Sequence, residues 1–287
     1  MASPTAAVIN FASALSDDEV RAAIHGVNRQ ITENFAPIWG YARDLIFFAP
    51  AFDPADPDTL AQEDVPADSV IYLVNEASVP GALGFHDLNL RDVPFGFVFV
   101  LDPKDWTTTL SHECLELILD PTATALIPGP DPRNAAKTVL HAYEACDAVE
   151  RLSYSIGDIQ VSDFVTPSYF TPDEAAGRNN DFLGAGVPSF GVTRGSHIAF
   201  FDLDSGNFET VFGEKAPARR NLAMRAEKHD HAKPERPTDD KLRAIVNNYR
   251  ASKIAKRASG LPNVSGLTRT ARYREAVGKL SRKAAGA

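Results

Sequence analysis

Apolar residues at helical spacing open the chain. Val20, Ile24, Val27, Ile31 and Phe35 recur every three to four positions behind Ser16-Asp17-Asp18-Glu19, a polar start with acids in the first turn. This predicts a helix over residues 17–35, ended by a turn at Ala36-Pro37. The pattern then turns to short continuous apolar runs. Residues 45–48 read as a strand, 50–66 as a Pro/Asp-rich loop, and 70–74 and 95–101 as two further strands. Between the last two lies Pro80-Gly81-Ala82-Leu83-Gly84-Phe85-His86-Asp87, a glycine-punctuated segment carrying a histidine. A second helix is expected over residues 132–150, with Pro132 in its first turn. Beyond Ser153 the pattern becomes β-rich, with one hairpin across Gly157-Asp158 and another across Asp204-Ser205-Gly206-Asn207. Asp202-x-Asp204-x-Gly206 lacks the rest of a calcium loop and reads as the second hairpin's turn.

One stretch departs from amphipathic patterning. Residues 109–121 read Thr-Leu-Ser-His-Glu-Cys-Leu-Glu-Leu-Ile-Leu-Asp-Pro. On a helical wheel Thr109, His112, Glu113, Glu116 and Asp120 share an arc of roughly 100°. Leu110, Cys114, Leu115, Leu117, Ile118 and Leu119 fill the rest. A helix apolar on nearly all sides is buried, and buried carboxylates must be paired, protonated or bound to a metal.

Composition adds a division of charge. Residues 1–213 carry 10 Lys and Arg against 31 Asp and Glu, net −21, and residues 214–287 carry 19 against 7, net +12, within an overall −9. The expected organisation is therefore an acidic α+β domain over 1–213 and a basic tail over 214–287, partly helical (Leu242, Ile245, Val246 and Tyr249 on one stripe) or disordered. The tail suits an acidic partner, nucleic acid or the acidic body. The body suits cations and argues against binding nucleic acid itself. His229-Asp230-His231 lies in that charged tail and carries no argument. A hydrophobic content of 44% is enough for a core. The N-terminus lacks the pattern of a secretory signal, no stretch reaches transmembrane length, and Cys114 and Cys146 make no disulfide framework, so a cytoplasmic protein with reduced thiols is expected.

His112-Glu113-x-x-Glu116 resembles the His-Glu-x-x-His helix of zinc metallopeptidases, with Glu116 in place of the second histidine. The resemblance implies His112 and Glu116 as metal ligands and Glu113 as the base that activates the attacking water. Carboxylates ligate zinc, and the loss of one nitrogen ligand admits other divalent metals. Peptidases of the gluzincin type take a third ligand from a later Glu, with an Asp close behind. Glu144 and Asp147 resemble that pair. The helical wheel of residues 132–150 argues against it, because the apolar face (Val139, Ala142, Cys146, Val149) lies opposite Glu144; Glu150 reads as surface. Asp120 is open as an added ligand or an acceptor behind one, and His86 as an oxyanion stabiliser or a further ligand.

Five stretches in order are similar to a family of bacterial and phage proteins with such a helix. They are residues 34–40 (Asn-Phe-Ala-Pro-Ile-Trp-Gly), 80–87, 110–121, 143–150 (Tyr-Glu-x-Cys-Asp-x-Val-Glu) and 161–167 (Val-Ser-Asp-Phe-Val-x-Pro). The resemblance covers about residues 24–212. It implies a zincin-like α+β fold, with a small mixed sheet beside a buried metal-site helix, while the likeness of that helix to zinc metallopeptidases makes a zinc-dependent hydrolase acting on peptide or protein the expected function. Two alternatives stand beside it. One is a non-catalytic metal-stabilised binding or structural protein, for instance a phage-related one. The other is a metal-free domain whose acids are neutralised by Arg91, Lys104, Arg133 or Arg151.

Overall fold

The computed structural model describes residues 4–49, 65–75, 82–88, 92–101, 105–171 and 180–214. The fold is mixed α+β. The N-terminal half is a five-stranded sheet of β1 (Thr5–Asn10), β2 (Asp44–Phe47), β3 (Ser69–Val74), β4 (Gly84–Leu88) and β5 (Pro94–Phe99), in the order β2-β1-β3-β5-β4. All neighbours are parallel except the edge strand β4, which runs antiparallel to β5. Sheets buried on both faces read as continuous apolar runs. Accordingly Ala6, Val8, Ile71, Leu73 and Val98 enter the core shared with the helices, while Ala7, Ile9, Tyr72, Phe85 and Phe97 pack on the opposite face. Central β1 was not foreseen: Ala6-Ala7-Val8-Ile9 is short and begins with two residues of low strand preference, and its place comes from pairing on both sides.

α1 (Asp17–Gln30) starts where expected, with Ser16 and Glu19 capping reciprocally. Its end is a correction. The helical path continues through a π-turn (Ile31–Phe35) into α2 (Ala36–Trp39), because Pro37 sits in a first helical turn, where its missing N–H costs nothing. The stop comes at Gly40, whose φ of +74° is the left-handed conformation glycine tolerates. The reach matters, since it brings Trp39 Nε1 to donate to Val165 O (3.0 Å) and Phe35 against Phe164.

The buried helix α3 (Trp106–Leu119) packs against β4, β5 and α1 and against β9 (Ile159–Ser162). The helix expected over 132–150 does not form. β6 (Leu126–Asp131) and β7 (Asn134–Ala142) occupy most of it as an antiparallel hairpin, and residues 143–146 lead into a single 3₁₀ turn (Asp147–Val149). Pro128 and Pro130 are tolerated because β6 is an edge strand, and β7 is held on its other side by β10 (His197–Asp202). Pairing at Asn134 and again from Thr138 to Ala142 keeps the intervening Ala135, Ala136 and Lys137 in the strand despite their helical preference. β10 forms a hairpin with β11 (Asn207–Phe212), completing a four-stranded antiparallel sheet β11-β10-β7-β6. β8 (Ser153–Ile156) and β9 (Ile159–Ser162) form the other expected hairpin. Both cysteines are buried free thiols. No described helix is long and apolar enough to cross a membrane. The tail helix, residues 229–231, Arg91 and Lys104 lie outside the described residues.

Candidate metal centre

α3 is fixed in place before any of its polar groups is used. Ser111 Oγ donates to Gln30 Oε1 (2.6 Å) and accepts from Ser162 N–H (3.0 Å), while Gln30 Nε2 donates to Ser162 O (2.7 Å). All three residues are fully buried. This closed network joins α1, α3 and β9, so the register of α3 is set by hydrogen bonds as well as packing.

From that helix His112, Glu113 and Glu116 project into one buried cluster. Strand β4 adds His86. The 143–150 segment, tied down by Val165 N–H to Ala145 O (2.7 Å) and Thr193 N–H to Ala148 O (2.9 Å), adds Glu144 and Asp147. Glu116 Oε2 lies 3.3 Å from His112 Nε2 and 3.8 Å from His86 Nδ1. His112 Nε2 is 3.4 Å from Asp147 Oδ1, and His86 Nε2 is 3.7 Å from Glu144 Oε2. Glu116 Oε1 accepts from the Cys146 N–H at 3.1 Å. Glu113 Oε2 is 3.6 Å from His86 Nδ1, and neither Glu113 oxygen has a hydrogen-bond donor among the described residues. A small cleft lined by Glu144, Asp147, Tyr169 and Phe170 borders the cluster.

Of the residues singled out in the sequence, His86, His112, Glu113, Glu116, Glu144 and Asp147 therefore meet. Glu144 and Asp147, which a helical wheel turns toward solvent, are both buried, because the helix that such a wheel assumes does not form. Asp120 is engaged elsewhere. Just past the end of α3, its Oδ1 accepts from Thr122 Oγ1 and its Oδ2 from Ala125 N–H, closing the turn into β6. Glu150, read as surface, is buried, and with it comes a residue the sequence did not flag. His197 Nδ1 donates to Glu150 Oε2 (2.9 Å), and its Nε2 lies 3.4 Å from Asp147 Oδ2. A histidine opening a hairpin strand carries no local signal of this; only the contact between β10 and the 3₁₀ turn creates it. The Arg133 proposed to neutralise the acids is occupied outside the cluster by Asp131, Asp202 and Glu209, and Arg151 is exposed.

The field inside the cluster is strongly cation-seeking. Burial opposes a charge on His86, yet Glu144, Glu113 and Glu116 outweigh it and hold the imidazole up to about 9. His112 is likewise raised well above its ordinary value against burial, by Glu116 and Asp147, and His197 is raised by Asp147 and Glu150. Burial pushes Glu113 up to about 7. Burial and the adjacent Glu116 also raise the Cys146 thiol.

The residues fit a metal ion. His112 Nε2 is near enough to two carboxylates for hydrogen bonds but wrongly angled for either, and both its ring nitrogens are buried without a hydrogen bond among the described residues. Ligands at about 2.0–2.1 Å around a tetrahedral ion stand about 3.3–3.4 Å apart. That is the observed spacing of His112 from Glu116 and from Asp147, and Cys146 is the donor within 4.8 Å of both His112 and Glu116. Nitrogen, carboxylate and thiol donors are the set that zinc and its first-row neighbours take.

Among known protein families and curated proteins no match to this chain is found.

Proposed function

We propose that the chain is a metal-dependent hydrolase, a zinc metallopeptidase of zincin-like fold and a member of the bacterial and phage family it resembles. The observation that carries this is Glu113: a buried carboxylate, not fixed by any hydrogen bond among the described residues, next to a histidine–carboxylate cluster with metal-ligand spacing. A small mixed sheet lying beside α3 supports the zincin-like reading. His112 and Glu116 would hold the ion, with Cys146 the third donor within reach of both and Asp147 beside His112. When bound, the ion supplies a Lewis acid that polarises a carbonyl and lowers the pKa of water.

The chain's own residues do the rest. A base working near neutrality needs a pKa near the working pH, and burial raises Glu113 to about 7. It accepts the proton of the attacking water on a carboxylate oxygen and returns it to the leaving amine. His86 faces that carboxylate, its Nδ1 3.6 Å from Glu113 Oε2. His197, braced by Glu150, fixes Asp147 from behind.

A second reading is favoured by the number of acids. Glu113, Glu116, Glu144 and Asp147 converge with the imidazoles, enough to fill an ion's coordination and leave a non-catalytic, metal-stabilised binding protein. The two separate in one experiment. Purified protein is analysed for metal by mass spectrometry beside His112→Ala, Glu116→Ala and Glu113→Gln, and each is assayed on a mixed peptide library. The hydrolase reading expects near-stoichiometric metal lost in the first two variants and kept in the third, with hydrolysis lost in all three. Metal without hydrolysis in the wild type selects the second reading. Folded protein that takes up neither zinc nor manganese removes both.

A further inference from the structure

We infer that the cluster is built for two divalent cations, one on each side of Glu116. This rests on the cluster being a metal centre at all, and goes beyond it in the number and placement of the ions. The donors fall into two groups. His112, Glu116 and Cys146 each offer a ligand atom within 4.8 Å of the others, and so do His86, Glu116 and Glu144. Glu116 is the shared member. Its Oε1 is turned to the Cys146 N–H, which leaves Oε2 facing both imidazoles, 3.3 Å from His112 Nε2 and 3.8 Å from His86 Nδ1.

Each side has carboxylate donors of its own. Asp147 Oδ1 stands 3.4 Å from His112 Nε2, and one His86 ring nitrogen lies within 4.8 Å of a carboxylate oxygen from Glu116 and of one from Glu144. A carboxylate between two such sets is how paired-metal sites hold ions about 3.5–4 Å apart. Charge argues the same way. Glu113, Glu116, Glu144, Asp147 and Glu150 are all buried. Five buried carboxylates outnumber the charge that one divalent ion carries. The halves also differ in chemistry. The side of His112 includes a thiol and suits zinc, whereas the side of His86 offers only nitrogen and oxygen and accepts harder ions such as manganese.

The test is stoichiometry. Full-length protein is stripped with chelator, reloaded with zinc, desalted and analysed for bound metal. The expected result is about two equivalents in the wild type, about one in His86→Ala and in His112→Ala, and almost none in Glu116→Ala. A second measurement needs no variant. Wild type saturated with manganese(II) should give the exchange-coupled electron paramagnetic resonance signal of paired ions rather than the six lines of isolated ones. A wild type that saturates at one equivalent, with an isolated-ion signal, overturns the two-ion arrangement and leaves the single-metal hydrolase standing. A wild type that binds none overturns both.

Discussion

Gly84 offers a direct test of how the candidate base is held. A Cβ built there would lie 2.6 Å from Glu113 Oε1, 2.9 Å from Glu113 Cγ and 2.8 Å from the backbone oxygen of Phe97. These are roughly 0.5 Å or more inside ordinary contact. The absence of a side chain on β4 is what lets α3 lay its carboxylate on the strand. Gly84→Ala must push Glu113 aside and strain β4 against β5, the kind of overpacking that costs about 1–3 kcal/mol. For a body of this size that is a fall of roughly 3–10 °C in Tm. The two contributions separate in a double-mutant cycle with Glu113→Ala, measured by thermal unfolding of chelator-treated protein. Removing the Glu113 carboxylate relieves two of the three overlaps, so Gly84→Ala should cost about 1 kcal/mol less in that background. Glu113→Ala alone should be neutral or stabilising above pH 7, where it removes a buried charge. If the two substitutions add to within about 0.3–0.5 kcal/mol, Glu113 is not seated on Gly84 and the account of its placement is wrong.

Two further outcomes are expected. Ser111→Ala leaves Ser162 N–H and Gln30 Oε1 without their buried partner, and should destabilise by about 2–4 kcal/mol; an unchanged urea midpoint would show that α3 is placed by packing alone. Asp163 and Asp181 are buried side by side, and burial with the neighbouring carboxylate raises Asp163 to about 7. The fold keeps a proton there that the unfolded chain has already lost, so stability falls as pH rises from about 4 to about 7 and levels off beyond. Asp163→Asn, whose amide can donate to Asp181, should flatten that slope and stabilise the protein at pH 8 by up to about 4 kcal/mol; a slope unchanged in the variant would place the titration elsewhere.

The core of the candidate site was legible because it is local. His112, Glu113 and Glu116 fall on one stripe of an otherwise apolar helix, and a 3.6-residue period can be read from a dozen residues. Glu144 and Asp147 are implied by the resemblance to the later ligand pair of gluzincin-type peptidases, but the secondary structure assumed for them argues against burial. The segment before them reads as helix by composition and folds as strand because β6 and β10 pair with it on both edges. Glu150 failed for the same reason. His197 had no sequence signal, since its partners Asp147 and Glu150 are some 50 residues away and β10 reads the same whether its first residue faces solvent or acid.

Local periodicity and capping thus determined α1, the buried helix, the two hairpins and the mixed α+β character, all of which depend on residues a few positions apart. The tertiary structure decided the rest: that Ala6–Ile9 is a central strand, that Gly84 leaves room for a carboxylate, and that three histidines and five acids from β4, α3, the 143–150 segment and β10 share one interior. Such a cluster is a property of long-range packing. The free energy that tolerates it comes from the surrounding fold, and no local pattern along the chain encodes which distant residues will supply the opposing charge.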